Sequence, residues 1–279
     1  MRFLCLHGMG TSGSIFAAQT TAFRAKLDPE KYIFDFVDGP FESRAAPGID
    51  VFFKPPHYAF WRGTDPKDVR RAHEWLRRLL DEREPYDVVV GFSQGCALIS
   101  SLILYHQNEC PTEPLPFKSA MLICGGVPLA IMQDLGLHVS NEAWDLHARV
   151  GRQLQQTAGG VAAEIQAIME GGLQARRGLW DRTDLLEHDP LADFPTDRTN
   201  VFGLDFERFP EGLQIPIPTV HIYGSKDPMC PSAMQLIHFS KEDRRRVYDH
   251  GGGHDVPRTT VVSDRIVELV MWLEGMVKD

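Results

Sequence analysis

Two tripeptides, Val88-Val89-Val90 and Met121-Leu122-Ile123, most narrow the folds open to this sequence. Each lies in a short run bounded by Gly, Pro or Asp, and each is apolar on both sides of the pleat. A strand with one wet face alternates apolar and polar residues, whereas a central parallel strand is covered on both faces. Runs of similar length predict strands over Arg2–Leu6, Tyr32–Val37, Asp87–Val90, Lys118–Ile123, Thr219–Tyr223 and Arg246–Tyr248. Helical periodicity lies between them. Asp68–Leu80 sets Val69, Ala72, Leu76, Leu79 and Leu80 on one stripe, Cys96–Tyr105 is apolar almost throughout, and Asp264–Val277 repeats Ile266, Leu269, Val270, Leu273 and Val277. Strands alternating with helices predict an α/β fold with a mostly parallel, doubly wound sheet.

One stretch departs from that rhythm. Val127 to Pro218 offers no convincing strand, only helix-like pieces at Trp144–Gln156 and Gly160–Met169 and then a loop rich in Pro, Asp and aromatic residues through Phe209. An insertion this long is seldom structureless inside a compact sheet. We expect a largely helical cap, about residues 127–217, over the C-terminal edge of the strands of a single domain spanning 1–279.

The sharpest local signal is Gly91-Phe92-Ser93-Gln94-Gly95. It directly follows the strand at Asp87–Val90 and precedes the helix at Cys96, the strand–turn–helix setting of a nucleophile elbow. A Cβ at either glycine would crowd the neighbouring strand or helix, and the turn aims backbone N–H groups at a developing oxyanion. After the first strand comes Leu6-His7-Gly8-Met9-Gly10-Thr11-Ser12-Gly13. It lacks the lysine of a P-loop and the spacing of a dinucleotide fingerprint. A His-Gly pair here supplies a second oxyanion donor, so the backbone N–H groups of Met9 and Gln94 are the candidate hole and His7 is structural. Asp227, in Tyr223-Gly224-Ser225-Lys226-Asp227-Pro228, follows a late strand as the candidate acid. His254, in Gly251-Gly252-Gly253-His254-Asp255-Val256-Pro257, is the candidate base on a loop free enough to swing an imidazole over the sheet edge. Asp255 adjoins His254 and is poorly placed to orient it. The order Ser, Asp, His is that of an α/β-hydrolase. The other histidines show no partner pattern, and Cys96 reads as helix packing.

The formal net charge of −9 opposes a nucleic-acid-binding surface. Five scattered cysteines form no CxxC and no zinc-ligand spacing, which predicts free thiols and no metal site. No leader-like or membrane-spanning run is apparent, so a cytoplasmic protein without a membrane partner is expected.

With these residues in place, the sequence resembles the FSH-type family of serine hydrolases, small α/β-hydrolases found mainly in fungi. The resemblance is carried by the loop Leu4–Gly13, Val37-Asp38-Gly39-Pro40, the Ser93 pentapeptide, Ile123-Cys124-Gly125-Gly126, His221–Pro228 and Gly252–Pro257. Pro47-Gly48-Ile49-Asp50, Tyr58-Ala59-Phe60-Trp61 and the long cap are most similar to a subgroup that accompanies fungal polyketide synthases. That resemblance implies a thioesterase, with an acyl chain carried on the phosphopantetheine arm of an acyl-carrier domain as substrate, and no cofactor. Tyr58 and Trp61, with Trp144, Trp180 and Phe202 of the cap, are candidates for an apolar acyl pocket. A carboxylesterase of small esters and a lactone-forming cyclase would use the same triad, and an inactive ligand-binding homologue would use the same fold.

Overall fold

In the computed structural model, the described residues are 1–154, 194–210 and 212–278. The chain enters with strand β1 (Arg2–Leu6), a short helical pair α1 (Gly13–Gln19) and α2 (Thr21–Arg24), and strand β2 (Ile33–Val37). A two-stranded antiparallel hairpin follows, β3 (Phe41–Ser43) with β4 (His57–Ala59). Then come α3 (Pro66–Glu82), β5 (Tyr86–Phe92), α4 (Gln94–Glu109), β6 (Phe117–Ile123) and α5 (Leu129–Asp134). Residues 141–154 form helix α6. The chain closes with β7 (Thr219–Tyr223), α7 (Cys230–Ile237), β8 (Arg245–Asp249) and α8 (Thr260–Lys278).

The six strands of the main sheet are ordered β2-β1-β5-β6-β7-β8, and all are parallel. The α/β class and all six expected strands are therefore present. Their alternating residues face two separate cores. Leu4, Leu6, Val89, Ala120 and Leu122 pack with α3, α4 and α5. Phe3, Cys5, Val88, Val90, Met121 and Ile123 pack with α1, α2 and α8. That double coverage is why the central strands carry no polar alternation.

Local signals explain the helices. Asp65 caps α3 by accepting the Lys67 N–H at 2.9 Å, Pro66 opens it, and Val69, Ala72, Leu76 and Leu80 form its buried stripe. Helix α4 is buried from Gly95 to His106, so its lack of amphipathicity reflects a position between sheet and outer helices. Truncating one of its leucines to alanine costs about 2–5 kcal/mol at such a site.

Within the expected cap, α5 and α6 are helical and the chain from Val127 to 154 carries no strand. The helix expected at Gly160–Met169, like Trp180, lies outside the described residues. No helix among the described residues is long and apolar enough to cross a membrane.

The chain runs from β1 outward to β2 and returns on the opposite side of β1 as β5, so the strand order reverses between β1 and β5. Open α/β sheets bind ligands in the crevice outside the carboxyl ends at such a switch point. The His7 loop leaves β1, and Ser93 leaves β5, at that crevice.

Candidate active site

Ser93 follows β5 immediately, with φ 53° and ψ −110°. This left-handed backbone is costly for a residue with a Cβ, and its surroundings enforce it. A Cβ on Gly91 would lie 2.5 Å from the Cys96 nitrogen, and one on Gly95 would run into the Leu6 carbonyl. The Ser93 N–H donates to the Ile123 carbonyl at 3.0 Å and the Gly95 N–H to the His7 carbonyl at 3.1 Å, tying the turn to both neighbouring strands.

Asp227 lies in the tight turn after β7, its N–H donating to the Gly224 carbonyl at 3.0 Å. Its side chain is fully buried. A carboxylate taken out of water needs hydrogen bonds. Oδ1 accepts the Met229 N–H at 2.7 Å, and Oδ2 meets His254 Nδ1 at 2.8 Å. His254 Nε2 lies 3.0 Å from Ser93 Oγ. With Nδ1–H donated to the carboxylate, Nε2 presents a lone pair to the Ser93 hydroxyl proton. The structure thus brings Ser93, His254 and Asp227 into one hydrogen-bonded line, whereas Asp255, next in sequence to His254, makes no such bond to the imidazole.

His7 is wholly buried. Its Nε2 accepts the Gly39 N–H at 3.0 Å and its Nδ1–H donates to the Gly8 carbonyl at 2.7 Å, while burial holds its pKa below the usual imidazole range. A neutral ring with both nitrogens engaged is a brace for the loop, in keeping with the structural reading. Gly10 and Thr11 pair with the backbone of Tyr58, at 2.9 Å for Gly10 N–H to Tyr58 O and 2.6 Å for Tyr58 N–H to Thr11 O. Among the described residues, no backbone carbonyl accepts from the N–H of Met9 or of Gln94, the first residue of α4.

A cavity of about 280 Å³ opens at Ser93. Apolar side chains including Met9, Trp61, Ala97, Val127, Leu129 and Leu146 wall it, and none of the described lining residues is Asp, Glu, Lys or Arg. His147 also lines it, its pKa lowered by burial. Of the two residues expected in an acyl pocket, Trp61 lines this cavity and Tyr58 does not. Its strand spends its backbone on the His7 loop, and the pleat buries His57 and Ala59 instead. Trp144 packs against the core, and Phe202 lines a wider hollow of about 700 Å³ beside Asp227.

The Gln94 side chain adds a connection that the motif alone does not reveal. Its Oε1 accepts the Phe60 N–H at 2.9 Å and its Nε2 donates to the Trp61 carbonyl at 3.1 Å. The residue after Ser93 thereby pins the segment that supplies one cavity wall.

The cysteines are all free. Cys96 is completely buried and desolvation pushes its thiol up, which suits packing. No group of three or more His, Cys, Asp or Glu among the described residues could hold a metal ion.

The serine hydrolase (FSH1) family model matches residues 1–266. Esterase alnB of Emericella nidulans is 29% identical over 261 residues, covering 92% of this chain and 91% of its own. Hydrolase FUB4 of Fusarium oxysporum f. sp. lycopersici is 28% identical over 284 residues, with 97% of each chain covered. Serine hydrolase cnsH of Penicillium expansum is 29% identical over 228 residues, covering 77% of this chain and 89% of its own.

Proposed function

The chain belongs to the serine hydrolase (FSH1) family, and on that premise we propose that it cleaves uncharged acyl thioesters through a covalent intermediate on Ser93. The observation that carries this reading is the line from Ser93 through His254 to Asp227, at 3.0 and 2.8 Å, beside a cavity with no charged side chain among its described lining.

His254 Nε2 takes the Ser93 proton as Oγ attacks the acyl carbonyl carbon. The backbone N–H groups of Met9 and Gln94 receive the oxyanion. Asp227 keeps the proton on Nδ1 and stabilises the imidazolium. The tetrahedral intermediate collapses, His254 returns the proton to the departing thiol, and the acyl group stays on Ser93. Water, deprotonated by the same imidazole, then releases the acid and restores the serine. The thioester preference, and a carrier domain's phosphopantetheine arm as the donor, rest on the resemblance to polyketide-associated thioesterases. The name of one relative, esterase alnB, favours a second reading in which the leaving group is an alcohol.

Intact-mass measurement after incubation with a fluorophosphonate, and separately with a medium-chain acyl thioester, tests the proposal. A mass increase is expected in the wild type and not in Ser93→Ala. Faster turnover of the thioester than of the matched oxygen ester supports the thioesterase, and the reverse order supports the esterase. No adduct with either reagent overturns the acyl-enzyme.

A further inference from the structure

Three consecutive glycines precede His254, and Gly253 has open space where a Cβ would be. Such a segment has more conformational freedom to lose than any other. The base nevertheless has to sit within hydrogen-bond reach of Ser93. Most of what restrains the loop lies at its beginning. Asp249 Oδ1 accepts the N–H groups of Gly251 at 2.7 Å and Ser225 at 2.9 Å, and the Gly252 carbonyl accepts from Lys226 N–H at 3.0 Å.

Cys124 reaches both sides of the base. It follows β6 directly, between the strand that ends at Ser93 and the strand that leads to Asp227. Its φ of 49° lies in the left-handed region that favours glycine, yet the position carries a fully buried thiol. The Sγ is 3.5 Å from His250 Nε2 and 3.5 Å from the Asp255 carbonyl. Because His250 Nδ1 accepts the Gly252 N–H at 3.1 Å, the ring proton sits on Nε2 and points at the sulfur. The thiol proton is then left for the Asp255 carbonyl and for the carboxylate of Asp227, which the thiol also meets. One side chain therefore meets a residue four positions before His254, the residue after it and the carboxylate that His254 Nδ1 faces.

We propose that Cys124 is a positioning residue that clamps the 250–255 loop and so holds His254 Nε2 on Ser93. The inference rests on the reading of His254 as the base. Burial lowers the pKa of His250, and burial together with the charges of Asp227 and Asp255 pushes the Cys124 thiol up. Both partners are thus neutral, and the contact is a hydrogen bond rather than a thiolate–imidazolium pair. The thiol is a strut and not a second nucleophile.

The test compares kcat, KM and the rate of fluorophosphonate labelling for the wild type, Cys124→Ala and Cys124→Ser. Loss of the clamp misaims the base, so Cys124→Ala is expected to lower kcat and the labelling rate together by about tenfold to a hundredfold, with KM unchanged. Cys124→Ser keeps a donor and an acceptor and is expected to recover most of the loss. A residue that only fills space would show the opposite ranking, since a hydroxyl suits an apolar gap worse than a methyl. Equal rates in Cys124→Ala and wild type, or a serine variant no better than the alanine one, overturn the clamp. Should Cys124→Ala fail to fold, His250→Phe keeps a ring but has no N–H to meet the sulfur, and is expected to lower kcat without raising KM. An unchanged kcat there overturns the proposal equally. A wild type that forms no Ser93 adduct defeats the acyl-enzyme reading and the clamp with it, whereas a Ser93 adduct formed at equal rates in wild type and Cys124→Ala defeats the clamp alone.

Discussion

Between Gly91 and Gly95 the chain has no spare room: an added Cβ at either glycine would meet backbone of the first α4 turn or the end of β1. In the loop before His254 the crowding falls away: an added Cβ at Gly252 would lie 2.9 Å from His250 Nδ1, whereas at Gly253 nothing lies within 4 Å. Both segments use glycine, and both bring a reactive side chain to the same 3.0 Å contact. In the first, glycine permits close packing, and the position of Ser93 follows from the cores on either side of the sheet. In the second, glycine permits a path, and hydrogen bonds from Asp249, His250, Lys226 and Cys124 choose one path among many. A feature held by packing is lost with the fold. One held by hydrogen bonds, each worth about 0.5–1.5 kcal/mol net, loosens in steps.

Three substitutions sharpen or break that contrast. Asp227→Asn leaves the turn shape intact but cannot favour the Nδ1–H tautomer, so kcat is expected to fall by about 10⁴-fold with an unchanged melting curve. A loss under about tenfold would mean that the loop orients His254 without the carboxylate. Gly95→Ala presses a methyl into the Leu6 carbonyl, and destabilisation by about 3 kcal/mol or more is expected in chemical denaturation. A variant as stable as the wild type would show that the elbow can relax and would remove the distinction drawn here. The mildest effect is expected from Gly253→Ala, whose Cβ enters open space: stability should stay within about 0.5 kcal/mol of wild type. A large rate loss there would mean that the loop depends on its glycines for motion rather than for its path.

The strand ends were legible in the sequence because parallel strands covered on both faces read as plain apolar runs, and β1 and β7 have the expected limits. Strands β5, β6 and β8 run one or two residues past the expected limits, where pairing extends beyond the apolar segment, as at Tyr86 and Phe92 of β5, and β2 starts one residue later, at Ile33. The hairpin β3–β4 was missed because two three-residue strands offer too few residues for a period. Helix α7 was missed as well, although Pro231 near its start and the apolar Met234, Leu236 and Ile237 were available signals. At the site, Ser93, Asp227 and His254 could be read from glycine-bearing turns on strand ends. Asp249, His250 and Cys124 could not, since their partners are set by which strand lies beside which. Cys124 is 126 residues from His250, and neither residue type carries a pattern that announces the contact.

The Gln94 side chain ties together properties that evolution would otherwise be free to vary separately. Its amide pins Phe60 and Trp61 while its own N–H is a proposed oxyanion donor. A lineage drifting toward a bulkier acyl group by moving the Trp61 wall would disturb the first turn of α4, beside the nucleophile. Position 94 thereby restricts adaptation at the Trp61 wall and leaves the part of the lining contributed by Ala143 and Leu146 of α6 as the easier route to a new substrate range.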